Sequence, residues 1–409
     1  MKTRQRAAVI GLLTVVSLTA AACGSDDETA TTDAPAVTEA PADTDAPAET
    51  DAPVETDAPV DTEAPSEAVC PTNVVIQTDW WPEAEHGGTY QLIGPDGTAD
   101  AETFVYSGPV QDAYKVGGVE TIEIRAGGDA VGFQGGDALL AADDDIMFAY
   151  VTTSDIMKAS DSVPLLAVAK TLDLDPQMIM WDPTQHTITK PEDIAATGAQ
   201  LLYFDGASYV DYMVGAGYLT EDQRNPSYGG APDQWIAEGG NYFQQGFATN
   251  EVYKYENIIE WKDGAPADVE FYTVGDLGFP NYPGVMAIRA DRLEEFRPCL
   301  EVLVPALSQA WIDYFNDPTP VNDALIGVND TYDTYWKITA ELNAAAVELM
   351  DEKGFSANSP DGTYCSFDPE RIQALADILT PIYEEQGVSV AQDMSTTYTN
   401  EFCEGAPGR

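Results

Sequence analysis

Through its middle, the chain alternates short apolar runs with loops rich in glycine, proline and aspartate; longer helical periods follow near the C-terminus. Val74–Gln77 reads as a strand. The stretch after it, TDWWPEAEHGGTY (78–90), holds two adjacent tryptophans and a proline. Neighbours on a strand point to opposite faces, so Trp80 and Trp81 cannot both face a core, and the strand is expected to end in a loop there. Thr121–Gly128 alternates apolar with charged residues and breaks at Gly127-Gly128, giving a second strand with a loop at its carboxyl end. Ile146–Val151 and Leu165–Ala169 supply a third and a fourth. Gln200–Phe204, Tyr242–Ala248 and Val269–Val274 extend the set. Between them, Asp205–Ser208 reads as a turn, with Ser208 placed to cap a short helix from Tyr209 to Val214. Leu300–Phe315, Thr331–Met350 and Pro369–Glu385 carry helical periodicity, and Asp368 or Ser366 can cap the last. Strands alternating with helices predict an α/β fold with largely parallel sheets.

The N-terminus follows different rules. Lys2, Arg4 and Arg6 precede an uncharged, mostly apolar run, Ala7–Ala22, and small residues lead into Cys23. A basic start, a short apolar core and small residues at a cleavage point describe a secretory signal peptide over 1–22. The apolar run is about sixteen residues, short of the roughly 20 that a membrane-spanning helix needs. Residues 24–69 hold fourteen acids, no base and no aromatic, with proline at 35, 41, 47, 53, 59 and 65. So little apolar surface cannot offset chain entropy, so 23–69 reads as an extended acidic stalk. About 340 residues remain, enough for two domains.

Of 70 acidic and 18 basic residues, fourteen acids and three bases precede Cys70, leaving 56 against 15 in the folded part. A surface this negative repels nucleic acid and anionic lipid heads, so neither is an expected partner. It also suits a saline medium, where screening relieves self-repulsion. Four cysteines remain, Cys70, Cys299, Cys365 and Cys403, and an even count in an exported chain suggests two disulfides. The pairing expected here is Cys299–Cys365 and Cys70–Cys403, the latter tying the ends of the folded part together. No CxxC spacing exists, so zinc is not expected, and the reading calls for no metal or other cofactor. The run Asp143-Asp144-Asp145 lacks the spacing of a calcium loop and reads as solvated charge.

The segment QTDWWPEAEHGGTYQ (77–91) resembles substrate-binding proteins of nitrate/taurine-type ABC importers, the group that includes thiamine-pyrimidine-binding proteins. Further matches keep the family's order: EIRAGG (123–128), QMIMWDP (177–183), DYMVGAGYL (211–219), QQGFATNE (244–251) and PCLEVLVP (298–305). Ala20-Ala21-Ala22-Cys23 likewise resembles a bacterial lipobox, which implies lipidation of Cys23, although the large apolar residue is Leu18 rather than residue 20. The resemblance implies a two-lobed periplasmic-binding-protein-like fold of type II. Each lobe would be a mainly parallel sheet flanked by helices, with two crossover segments joining them. Lobe one would comprise 71–183 plus 284–409 and lobe two 184–283. The implied protein is a lipid-anchored monomer on the outer face of the cell membrane. Its partners are a small-molecule ligand and a membrane-embedded permease with an ATPase on the inner side.

Ligands of open α/β sheets sit beyond the carboxyl ends of strands and often between domains. The candidates are therefore the loops at such ends. Trp80 and Trp81 offer indole faces for stacking on a planar heterocycle, though either could instead pack the loop onto the core. His86 can give or take one hydrogen bond, and Gly87 permits close backbone approach; the competing reading is a structural histidine at a helix start. Tyr90, one helical turn on, could line the same wall. Gly127, Gly206, Ala207 and Ser208 lie at other strand ends, and the last three open a helix whose free N–H groups could hold an oxygen. Gln244 and Gln245 offer donor and acceptor to a pyrimidine edge, or serve surface hydrogen bonding.

None of the HGG, GAS or QQG loops carries arginine or lysine, and Arg125 is the nearest candidate. A sulfonate or nitrate would want such a partner. The expected solute is thus a small, flat heterocycle, an aminopyrimidine thiamine precursor first, with a sulfonate- or nitrate-like anion or another small nutrient as the alternative. Some thiamine-pyrimidine synthases share the implied fold, but they carry a cysteine-rich iron site that has no counterpart here. No P-loop, HExxH or Ser/His/Asp constellation appears either, so catalysis is not expected. A passive envelope lipoprotein is the third class; it has no need of aromatic and glycine loops at strand ends.

Overall fold

The computed structural model describes residues 68–391 and 393–409. The expected signal peptide, the expected lipidation site Cys23 and nearly all of the expected acidic stalk lie outside the described residues.

Among the described residues, twelve strands form two sheets. The first contains β1 (Asn73–Gln77), β2 (Thr98–Asp100), β3 (Val105–Pro109), β4 (Thr121–Arg125), β5 (Ile146–Val151), β6 (Leu165–Ala169) and β12 (Val285–Arg289), in the order β2-β3-β4-β1-β5-β12-β6. The second contains β7 (Gln177–Trp181), β8 (Leu201–Leu202), β9 (Arg224–Asn225), β10 (Phe243–Phe247) and β11 (Glu270–Thr273), in the order β11-β7-β10-β8-β9. The chain passes between the sheets twice, after β6 and again between β11 and β12. β5 (IMFAYV) is buried at every position, as befits a central strand covered on both faces, whereas β4 alternates buried with half-buried.

Two expectations about the lobes change. β7 was assigned by sequence to the first lobe, but it pairs with β10 and β11 in the second sheet. The sheets are also mixed rather than mainly parallel. β1 runs parallel to β4 and β5, and β8 to β9 and β10, while the other six pairings are antiparallel. The cause is local: β2-β3-β4 is a meander, and each strand beside a crossing, β7 and β12, enters its sheet against its neighbours.

The C-terminal helices cover the sheets. Asp368 caps the helix Pro369–Gln386 by accepting the Glu370 N–H, Pro369 supplies a preset φ, and Gly387 ends it in the left-handed region. The expected helix Thr331–Met350 is instead broken. One helix, Thr319–Tyr332, stops at Asp333 (φ 47°), and the next, Ala340–Glu352, starts where the Thr339 hydroxyl accepts the Leu342 N–H. The intervening loop carries Trp336.

The disulfides are Cys70–Cys299 and Cys365–Cys403, overturning the expected pairing. Cys70 is fixed where the Val69 and Cys70 N–H groups both meet the Gly117 carbonyl, and the helix Leu293–Asn316 brings Cys299 to 4.6 Å between Cα atoms. The C-terminal turn Glu401–Cys403 packs on β6 and that same helix, next to the Tyr364-Cys365 strap. Cys70 and Cys403 are thus pinned to neighbouring segments rather than to each other.

Candidate functional site

Facing loops from the two sheets enclose a cleft of about 490 Å³, with a side chamber of about 230 Å³ that shares Asp155, Phe204 and Gln245 with it. Three parallel neighbours in the first sheet end here: β1 delivers Asp79 and Trp80, β4 Gly128, and β5 Thr152. β8 and β10 of the second sheet deliver Phe204, Asp205, Gln245 and Phe247 from the other side. This is the strand-end position at which open α/β sheets hold ligands.

Trp80 lies on the cleft wall. Its ring packs between the backbones of Gly128 and Gly230, where an added Cβ would come within 3.1 and 2.9 Å of the indole. Around it stand Trp336 at 5.6 Å between ring centroids, Phe204 at 5.7 Å and Phe133 at 6.1 Å. Tyr228 meets Phe204 at 5.0 Å. Phe133 is 48% exposed and adopts φ 58°, a left-handed conformation costing about 1–2 kcal/mol for a residue with a Cβ. The glycine-flanked loop 127–136 holds that side chain at the cleft.

Other residues named from sequence lie behind this wall. Trp81 is in the core, its Nε1 donating to Asp129 at 2.7 Å and its ring set edge-on to Phe104. Tyr90 is buried and stacks on Tyr106. Gly87 and the adjacent Gly88 serve packing, because a Cβ on either would collide with Tyr314 or Trp311. Gly127 has its N–H on the Trp80 carbonyl and no space beside the Thr78-Asp79 backbone. His86 is 2% exposed and lies off the cleft, with Nε2 2.8 Å from Asp79 and its ring edge-on to Tyr150.

From the second sheet, Gln245 borders the cleft and Gln244 does not. Gln244 is buried against the Tyr255 hydroxyl at 3.0 Å, on the opposite face of β10. The Gln245 Oε1 accepts the Phe204 N–H at 2.6 Å and the Tyr209 hydroxyl at 2.9 Å. Gly206, Ala207 and Ser208 line the side chamber, but the Ser208 hydroxyl is paired with Tyr383 at 2.7 Å.

Sequence reading missed Phe133, Phe204, Tyr228 and Trp336, and it missed the acids. Asp79, Glu83, Asp155, Asp205 and Glu251 all border the cleft, and no arginine or lysine borders it or its side chamber. Arg125 is held by Glu123 and Asp143 on another face. Behind the cleft, Glu85 accepts hydrogen bonds from Thr249 and from Asn250 (2.7 Å), so loops of the two sheets meet over a carboxylate. Burial, with Glu85 and Asp79 nearby, pushes the Glu83 carboxyl well above its ordinary range, and burial also raises Glu85, Glu251 and Asp155. Lys254, stacked over the Trp336 ring, is pushed down to about 8 by burial.

No protein-family model matches the chain, and no curated protein matches it. Solved structures do match. The alkanesulfonate-binding protein SsuA from Xanthomonas axonopodis pv. citri, bound to MOPS, has a TM-score of 0.51 at 12% identity, over 79% of this chain and 96% of that one. The periplasmic aliphatic sulphonate binding protein SsuA from Escherichia coli gives 0.53 at 12% identity, over 81% and 99%. A ligand-binding component of an ABC-type import system from Staphylococcus aureus gives 0.50 at 12% identity, over 82% and 100%. The chain therefore has the α/β fold of periplasmic binding proteins, with helix-flanked sheets.

Proposed function

We propose that this protein is the extracytoplasmic solute-binding lipoprotein of an ABC importer. It takes up a small flat heterocycle between two lobes and presents it to a permease. The observation that carries this reading is the cleft of about 490 Å³ at facing strand ends, walled by Trp80, Phe133, Phe204 and Trp336. Ligand sites of this size bury most of a small molecule, and aromatic walls suit a planar one. A signal peptide, lipidation at Cys23 and the acidic stalk would hold the binding domain outside the membrane, consistent with such a role. Hinge closure of lobes about 71–176 plus 284–409 and 177–283 would give the permease different surfaces on loaded and free forms. The aminopyrimidine thiamine precursor remains the first specific ligand. A sulfonate or nitrate fits the lining less well, for want of any basic side chain on it.

Mass spectrometry of small molecules released from the purified protein tests the reading, followed by a melting screen over pyrimidines, flavins, sulfonates and amines. Ligand at 100 times Kd should add about 2.7 kcal/mol to stability. A screen in which only sulfonates or nitrate stabilise the protein overturns the heterocycle. One in which no small solute does so overturns the transport role.

A further inference from the structure

The cleft joins two features that together specify charge. Its walls are aromatic, and the half-exposed Phe133 leaves open ring surface whose negative quadrupole attracts cations, whereas Lys254 already sits over the Trp336 ring. Its edges are acidic: Asp79, Asp155, Asp205, Glu83 and Glu251 border it without one arginine or lysine among the bordering residues, and the negative charge is assigned to Asp79 and Asp205, since burial raises the other three. Ammonium groups stand at its margins, Lys254 and Lys337 in an adjoining pocket that shares Tyr228 and Trp336 with it, but the two nearest are already engaged. Lys158 donates to the Gly206 carbonyl at 3.2 Å, and Lys254 stacks over the Trp336 ring, beside Glu251, Glu83 and Glu85. Internal donors take up part of the acids: Glu251 accepts the Phe247 N–H at 2.7 Å and Glu83 the Asn250 amide at 3.3 Å, but the three aspartates keep acceptor capacity. Asp79 takes His86 on one oxygen, Asp155 takes the Thr152 hydroxyl at 2.8 Å, and the Asp205 carboxylate has no hydrogen-bond partner among the described residues.

A third observation stands apart from the acids. Gln245 is only 5% exposed, yet it borders both the cleft and its side chamber. The Phe204 backbone N–H can only donate, so the atom it meets must be the Gln245 oxygen, which fixes the amide's orientation. Nε2 then has no partner among the described residues and is the donor this side chain presents at the cleft. It is not one of the fully buried unpaired atoms, so water reaches it in the free protein and an acceptor on a ligand can take that water's place.

We infer that the solute is an organic cation, an ammonium or protonated amine on or beside a flat ring, held by the Trp80–Phe133–Phe204 wall and Asp205, with a ring acceptor facing Gln245. This rests on reading the cleft as the solute site, and it narrows the ligand class from flat heterocycles to cationic ones.

Calorimetric titration of the full chain, disulfides intact, with two sets of matched probes tests the inference. One set is an aminopyrimidine bearing an aminomethyl, hydroxymethyl or carboxyl arm, which is cationic, neutral or anionic at neutral pH. The other is choline against its neutral carbon isostere, dimethylbutanol. The expected result is at least a tenfold preference for the cation within whichever set binds, a factor that falls towards unity in Asp205→Asn. Equal binding of the three pyrimidines overturns the charge inference and leaves the heterocycle reading standing. Choline bound over dimethylbutanol, with no pyrimidine bound, supports the positive charge and overturns the ring and its acceptor, and with them the heterocycle reading. Preference for a neutral or anionic member, or no binding in either set, overturns the inference.

Discussion

The Nε2 atom of His86 lies 2.8 Å from a carboxylate oxygen of Asp79, and only the aspartate reaches the cleft. A histidine picked out by sequence as a ligand contact thus acts one layer back, steering the group that lines the site. The buried Nδ1 of the same ring has no partner. Since Asp79 can only accept when ionised, the neutral imidazole must carry its proton on Nε2. Nitrogen-detected NMR at high pH should find that tautomer, and a proton on Nδ1 would contradict the contact. His86→Ala should cost about 2–3 kcal/mol in urea denaturation, through a cavity and an unheld carboxylate.

Trp80 and Trp81 should respond oppositely to truncation. Trp80 is half-buried at the cleft, whereas Trp81 is 2% exposed and hydrogen-bonded to Asp129. Trp81→Ala should destabilise the fold by about 3–5 kcal/mol, as large core truncations do. Trp80→Ala should cost under about 2 kcal/mol and weaken solute binding at least tenfold. Paired denaturation and titration curves for the two variants check this, and equal stability losses would count against the assignment of faces.

The two disulfides should differ in worth. Cys70–Cys299 spans 229 residues of sequence and Cys365–Cys403 spans 38. Chain-entropy scaling gives about 5 kcal/mol for the first and about 4 kcal/mol for the second. Replacing each pair by serine should therefore destabilise in that order, measured by urea midpoint. Peptide mapping without reductant should recover these linkages and no Cys70–Cys403 species.

Much of the fold was legible because strand runs and caps are local. The runs at 74–77, 121–125, 146–151 and 243–247 and the Asp368 cap all follow from neighbouring residues. Strand-end loops could be located for the same reason. Facing could not. In Trp80-Trp81 and Gln244-Gln245 both members have the same chemistry, so alternation requires opposite faces but pattern alone does not choose which. Phe133, Tyr228 and Trp336 come from three loops far apart in sequence and meet only through tertiary packing. Trp336 was further hidden by reading one helix where Asp333 breaks the chain into two. The disulfides failed likewise: four cysteines allow three pairings, and only the docking of the helix Leu293–Asn316 against Gly117 selects one.

Stability should rise as pH falls from 7.5 towards 5. Asp175 lies where the chain crosses between sheets, accepting the Gln177 N–H and the Asn281 amide at 2.9 Å each. Burial raises its carboxyl from 3.8 to about 6, and burial raises Glu83, Glu85 and Glu251 in the same direction. A raised carboxyl means the folded state binds protons that the unfolded chain releases, so the slope of unfolding free energy with pH is negative. Asp175's contribution is complete below about pH 4 and is lost as pH climbs through about 6. Two units correspond to about 3 kcal/mol for this one group. Acids held low by a cation, such as Asp351 beside Arg409, act in the opposite sense but in a window below about pH 4. Urea midpoints at pH 5, 6 and 7.5 should therefore fall in that order for the native chain. In Asp175→Asn the overall midpoint should drop, because the new amide meets a donor from Asn281, and the decline between pH 5 and 6 should shallow. A midpoint that rises with pH across this range would mean these carboxyls are ionised in the folded protein at little cost, and the buried acid behind the cleft would lose its account.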